Sequence, residues 1–258
     1  MLLSVQNLSV KVQTHTLDRY LLQDINFQLD KKTILALVGG SGSGKTTTGL
    51  AILRLLDAEL RTTSGAIHFN GQELLNLSPV RMRQIRGKEI SMVFQEPLHA
   101  FNPVFRIGYQ IEEVLRYHTD LTVRQREARI GELLNIVGIA EPQRVSRSYP
   151  HQLSGGMRQR AMIAQAIAAQ PKLIIADEPT SNLDVTLQAK VMELFRKLRD
   201  ELDLAMILIT HDLGLVQHLS DEVVVMTDGR VVEEGKTAQV LNDPQHLYTK
   251  KLLAAVTV

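Results

Sequence analysis

The chain contains Gly39-Gly40-Ser41-Gly42-Ser43-Gly44-Lys45-Thr46, followed by Thr47. The spacing fits G-x-x-x-x-G-K-[ST], a pattern with a definite chemistry. Glycines let successive backbone N–H groups turn inward around phosphate oxygens, where side chains would block the turn. Lys45 then supplies a point charge for the β- and γ-phosphates of a nucleotide, and the Thr46 hydroxyl a hard oxygen for Mg²⁺. A glycine-rich turn that matches by chance is the plain alternative. Its place between an apolar run and a helical pattern argues against that.

Three further points along the chain carry related chemistry. The apolar run 173–176 ends in Asp177-Glu178. Asp177 would hold a water of the Mg²⁺ shell, and Glu178, facing the other way, would polarise the water that attacks the γ-phosphate. A solvated acidic pair closing a strand is the alternative, weakened by the phosphate loop in the same chain. Gln95 follows the run 90–94, and His211 follows the run 206–210. A glutamine both donates and accepts, so it can contact Mg²⁺ or water; an imidazole can donate to the γ-phosphate. Either one, taken alone, is as readily a structural group at a strand end.

Leu153-Ser154-Gly155-Gly156-Met157 introduces a small-residue helical pattern. Ser154 suits an N-cap, and the turn sets free N–H groups at the positive end of a helix dipole. In a chain that already has a phosphate loop, Ser154, Gly155 and Gly156 suggest a second nucleotide face, with a simple structural cap as the alternative. Asp184, close behind Glu178, could couple the two faces.

These groups need elements to hold them. Short apolar runs at 34–38, 90–94, 173–176, 206–209 and 223–226 alternate with helical patterns, which argues for an α/β fold with a mainly parallel core sheet buried on both faces. A helix over 45–56 would point its N-terminus at bound phosphates. Leu187, Val191, Leu194, Leu198 and Leu202 share one helix face. Residues 1–30 and about 62–75 alternate as strands, with Gly65, Asn70 and Gly71 as turn residues, predicting a small antiparallel β subdomain. Residues from about 96 to 152 read as mostly helical, with Ile130, Leu133, Leu134 and Val137 on one face, predicting a helical subdomain.

Composition narrows the partners. The formal net charge of +1 across 258 residues gives no reason to expect nucleic acid, and an aromatic content of 4% offers no base-stacking platform. With no cysteine, disulfides, iron–sulfur clusters and thiolate zinc sites are excluded. The eight histidines form no close cluster in the sequence. The start Met1-Leu2-Leu3-Ser4-Val5-Gln6 lacks a signal-peptide pattern, and no apolar run is long enough to cross a bilayer, so a cytosolic chain is expected.

In this order, the phosphate loop, Gln95, the serine-glycine turn, the acidic strand end, Ser181-Asn182-Leu183-Asp184 and His211 resemble the ATPase subunit of an ABC transporter over the whole chain. The resemblance implies a P-loop ATPase of ABC type, one nucleotide-binding domain over 1–258 with its helical subdomain at about 96–170. It implies ATP and Mg²⁺ as ligands, the latter through Thr46, Gln95 and Asp177. Catalysis falls to Glu178, His211 and Gln95. The partners it implies are a second, different ATPase subunit, two membrane-spanning permease subunits and an extracytoplasmic substrate-binding protein. Its place would be peripheral, on the cytoplasmic face of the inner membrane.

Finer features resemble the peptide and nickel importer group. They are Phe94-Gln95-Glu96-Pro97-Leu98 with Phe101-Asn102-Pro103, Tyr149-Pro150-His151, Gly156-Met157-Arg158-Gln159-Arg160, and Pro244-Gln245-His246-Leu247-Tyr248-Thr249. Met157 stands where the wider family has Gln, Asn182 where Ala is frequent, and Leu247 where the group usually has Pro. Tyr20 and His15 are the candidates for stacking on adenine. The short tail, without a cysteine-bearing extension, tilts the expected cargo toward nickel or a metal chelate over small peptides. A soluble ABC ATPase of DNA repair or translation is the competing class. It would require long coiled coils or a second cassette, and the sequence has neither.

Overall fold

The computed structural model describes residues 1–13, 18–181 and 183–255. His15 and Asn182 lie outside the described residues. The chain forms two compact units, one from Met1–Met82 with Asp203–Val258, the other from Arg83–Leu202.

The first unit opens with β1 (Leu3–Gln13) and β2 (Asp18–Leu29), continues through β3 (Ile34–Val38), and adds β4 (Leu60–Phe69) and β5 (Gln72–Glu73). An antiparallel sheet of order β2-β1-β4-β5 results, its inner face built from Leu3, Val5, Leu8, Val10, Leu22, Ile25, Phe27 and Ile67. Asn70 and Gly71, both at positive φ, close the two-residue hairpin between β4 and β5. Gly65 is not a turn residue. It sits inside β4, opposite the irregular register of β1, where a Cβ would stand 2.6 Å from the Leu8 Cα. Close backbone approach at a bulge is what requires glycine there.

All five residues of β3 are buried. The helix after the phosphate loop runs Lys45–Ile52, shorter than the 45–56 expected. Arg54 takes a left-handed φ of 52°, its N–H donates to Ala51 O at 3.0 Å, and the Leu55 N–H donates to Leu50 O at 2.9 Å. That pair of bonds is a Schellman stop, here without its usual glycine.

In the second unit, β6 (Ile90–Val93) pairs in parallel with β7 (Leu173–Asp177), in register from Ile90↔Leu173 to Val93↔Ala176. Between them run helices Ile107–His118, Val123–Ile136, Pro142–Arg147 and Gly155–Ala166, and helix Val185–Leu202 follows β7. Ile107, Ile111, Leu115, Ile130, Leu133, Leu134, Val137 and Val145 are buried, so the expected apolar face is the core of the helical region. Thr122 and Gln125 form a capping box at the head of Val123–Ile136. In helix Val185–Leu202, Val191, Leu194 and Leu198 are buried as the periodicity predicts, with Phe195 added.

The chain then re-enters the first unit with β8 (Ala205–Thr210), β9 (Glu222–Thr227) and β10 (Arg230–Lys236). Both β8 and β9 pair in parallel with β3, and β10 adds an antiparallel edge to β9. The half-exposed pattern of β10 lacks the continuous apolar run of its neighbours, so its sequence does not mark it as a core strand. Helices Leu213–Leu219, Thr237–Asn242 and Leu247–Ala254 complete the unit. Ala36, Val38, Val216, Val223, Val225 and Val240 form a buried cluster against which Tyr248, Leu252 and Leu253 pack.

Candidate functional site

The phosphate loop leaves the buried end of β3. Gly39 has φ 155°, and a Cβ there would lie 2.1 Å from the Met226 carbonyl oxygen, so no other residue fits without moving β9. Gly42, at φ 77°, has nothing within 4 Å of the position a Cβ would take. One glycine serves close packing, the other keeps an open concavity. A cavity of about 190 Å³ lies there, lined by Leu21, Gly42, Ser43, Gly44, Lys45, Thr46 and Thr47.

Lys45 is buried, at 8% exposure. Its Nζ donates to Gly39 O and Gly40 O, each at 2.9 Å, and reaches Ser43 Oγ at 3.4 Å. Helix Lys45–Ile52 has no side-chain cap and no acidic residue in its first turn. Its N–H end and dipole face the cavity, and its own first turn adds no negative charge there. The cradle, the buried ammonium and the open helix end fit a polyphosphate. Thr46 is exposed on the same cavity, with a hydroxyl of the hard-oxygen kind Mg²⁺ takes.

His211 comes from the neighbouring strand. Val38 and Thr210 are register partners at the ends of parallel β3 and β8, so Gly39 and His211 are the next residues out of adjacent strands. Asp212 caps helix Leu213–Leu219, its Oδ1 accepting from Gly214 N at 2.9 Å and Leu215 N at 3.2 Å. His211 itself is exposed. The phosphate loop and His211 thus share one sheet edge in the first unit.

The second unit repeats that arrangement with other chemistry. β6 and β7 end side by side at Val93↔Ala176, bringing Gln95 and the Asp177-Glu178 pair to one edge. Asp177 closes β7 and is 4% exposed. Glu178 has φ 45°, the left-handed region, which is costly for a residue with a Cβ. The reversal follows a strand residue directly, and Ser181 braces it by donating from N at 3.2 Å and from Oγ at 3.1 Å to Glu178 O. Gln95 is exposed and, with Gly155, Gln159 and Leu183, lines a cavity of about 200 Å³.

Ser154 caps helix Gly155–Ala166, its Oγ accepting from Met157 N at 3.3 Å. Both Ser154 and Gly155 are exposed, and a Cβ on Gly155 would meet nothing within 4 Å. Gly156 differs, for its Cβ would press on Leu187 at 3.2 Å. Asp184 caps helix Val185–Leu202, its Oδ1 accepting from Leu187 N at 3.0 Å. Of the stacking candidates, Tyr20 is 44% exposed and carries Lys11 Nζ 4.5 Å above its ring.

The structure adds one contact that the sequence reading missed. Tyr248 Oη accepts from the Gly40 N–H at 2.8 Å, joining the tail helix to the phosphate loop. The tail motif drew attention to the residue but gave no hint of its partner.

Two glycine-rich helix starts, a buried lysine and acidic and amide groups at parallel strand ends define a nucleotide-hydrolysing class of protein. The ABC transporter family model matches residues 22–181. The chain is 50% identical to a putative peptide import ATP-binding protein of Brucella abortus, over 99% of this chain and 77% of the relative. It is 44% identical to the oligopeptide transport ATP-binding protein OppD of Bacillus subtilis, over 99% of this chain and 72% of that protein. Among solved structures, a dimeric ATP-binding cassette in a post-hydrolysis state with ADP and Pi superposes with a TM-score of 0.82 at 27% identity, covering 91% of this chain and 98% of that one. The chain belongs to the ABC transporter family and is an ATPase of that family.

Proposed function

We propose that this ATPase energises the import of small peptides through separate membrane-spanning subunits. The observation that carries the reading is the phosphate loop with its buried Lys45, in a chain 44% and 50% identical to proteins named for oligopeptide and peptide import. The nickel or metal-chelate cargo suggested by the short tail has no such support. Among the described residues no helix is long and apolar enough to cross a membrane. Attachment would be to the permease subunits, on the cytoplasmic face. An extracytoplasmic binding protein would deliver the cargo.

ATP bound here supplies the free energy of phosphoryl transfer to water. Lys45 and the N–H groups of residues 42–47, which line the cavity, offset the charge of the β- and γ-phosphates. Among the described residues no group of three or more His, Asp or Glu is placed to hold a metal ion. A Mg²⁺ that keeps waters and takes phosphate oxygens needs only one or two protein groups. Thr46 would supply an oxygen to the metal, Asp177 would hold one of its waters, and Gln95 would contact the metal or a water. Glu178 is assigned as the base that orients and polarises the attacking water, and His211 as a donor to the γ-phosphate. Ser154, Gly155 and Gly156 are assigned to the nucleotide of a second, different ATPase subunit, with Asp184 coupling the two.

Uptake in a strain lacking this chain tests the cargo. Loss of labelled di- or oligopeptide uptake, restored by the wild-type chain and not by Lys45→Ala, is the expected result. Normal peptide uptake with lost nickel accumulation would replace the peptide reading by the metal one.

A further inference from the structure

The tail segment 244–249 plays no part in the chemistry above, yet it is firmly built. Glu233 on β10 grips it: Oε1 accepts from Gln245 N at 2.7 Å and Oε2 from His246 N at 3.0 Å. Burial works to raise the Glu233 pKa, but the backbone N–H groups of Gln245 and His246 hold it below the usual carboxylate range. The clamp is therefore charged at neutral pH. His246 Nδ1 next accepts from Tyr248 N at 3.1 Å, capping helix Leu247–Ala254. Leu252 and Leu253, together with the Tyr248 ring, pack that helix against the core cluster.

This construction delivers one hydroxyl to one amide. Tyr248 Oη accepts from Gly40 N at 2.8 Å, and a Cβ on Gly40 would come within 3.2 Å of the same oxygen. The bonded N–H belongs to the peptide unit whose carbonyl is Gly39 O. That carbonyl accepts from Lys45 Nζ at 2.9 Å. A peptide unit is planar, so fixing its N–H fixes the direction of its C=O. Tyr248 holds one side of the Gly39–Gly40 peptide plane while Lys45 is held on the other. Gly40 is not among the residues lining the phosphate cavity, so the tyrosine braces the loop from behind without entering that cavity.

We propose that Tyr248 is a positioning residue for the phosphate loop, its hydroxyl locking the Gly39–Gly40 peptide so that the Gly39 carbonyl aims the Lys45 ammonium. This rests on the reading of residues 39–47 as the ATP site. Without the hydroxyl, the Gly40 N–H loses its acceptor and the peptide plane is free to rotate. ATP must then order the loop as it binds.

The test uses the full chain, with Mg-ATP binding measured by calorimetry and amide exchange followed at Gly40. Tyr248→Phe keeps the ring in its core seat and removes only the oxygen. ATP affinity should fall about three- to tenfold, the range of one hydrogen bond, with faster exchange confined to the phosphate loop. Glu233→Gln, which loosens the clamp without touching the loop, should lower affinity in the same direction by a smaller factor. Unchanged affinity and unchanged Gly40 exchange in Tyr248→Phe would overturn the proposal. So would faster exchange spread through β3 and its neighbours, which marks a general packing role. Failure of the wild-type chain to bind ATP would instead overturn the site reading, and this proposal with it.

Discussion

The phosphate loop and the serine-glycine turn are built on one plan and finished in opposite ways. Each is a glycine-rich turn that opens a helix. In the first, Lys45 is buried on two carbonyls, Gly39 is locked against β9, and Tyr248 braces the loop from outside. In the second, Ser154 caps the helix at 3.3 Å and Gly156 packs near Leu187, but Gly155 faces open space. A site that must hold a polyanion alone needs its N–H groups pre-set, because ordering them on binding costs affinity. A turn that meets a nucleotide held elsewhere needs exposure more than rigidity. The closed turn suits the first task and the open turn the second, as proposed.

Substitutions can break this comparison, beginning with the closed turn. Lys45→Ala removes the buried ammonium and should lower ATP hydrolysis by about 100-fold or more, the scale of losing a preorganised charge at a transferring group. Phosphate release by the assembled transporter is the measurement. Glu178→Gln removes a base and leaves the phosphate loop intact, so hydrolysis should fall by about 10²- to 10⁴-fold while Mg-ATP binding is kept. Rapid single-turnover release by that variant would assign the base elsewhere.

The glycines sharpen the contrast with smaller effects. Gly39→Ala forces a Cβ to 2.1 Å from the Met226 carbonyl oxygen and should cost about 1–3 kcal/mol of folding stability in thermal or urea unfolding. Gly155→Ala has open space and should stay within about 0.5 kcal/mol of wild type. Its effect should appear in the turnover of the paired ATPases. A strongly destabilised Gly155→Ala would show that the open turn is as tightly built as the closed one.

The difference between the turns also governs what the sequence could convey. The phosphate loop was legible because its backbone demands glycine at fixed spacings and lysine at one, a requirement written in residue types. Parallel strands β3, β7, β8 and β9 were legible because burial on both faces demands continuous apolar runs. Gly65 was misread as a turn because glycine signals any backbone that cannot carry a Cβ, and here the cause was the opposing β1 backbone. The early end of helix Lys45–Ile52 was hidden because Arg54, not glycine, takes the left-handed position. Glu178 likewise carries no local sign of its φ of 45°. Tyr248 was least legible of all, since its partner Gly40 lies 208 residues away and only the folded tail brings them together.

The most direct measurement of the central claim is phosphate release by the assembled wild-type transporter, with its binding protein, in the presence and absence of small peptides. A peptide-importing ATPase is predicted to hydrolyse ATP faster when loaded with peptide and to be indifferent to nickel. Turnover that ignores peptide and rises with a nickel chelate would contradict the account.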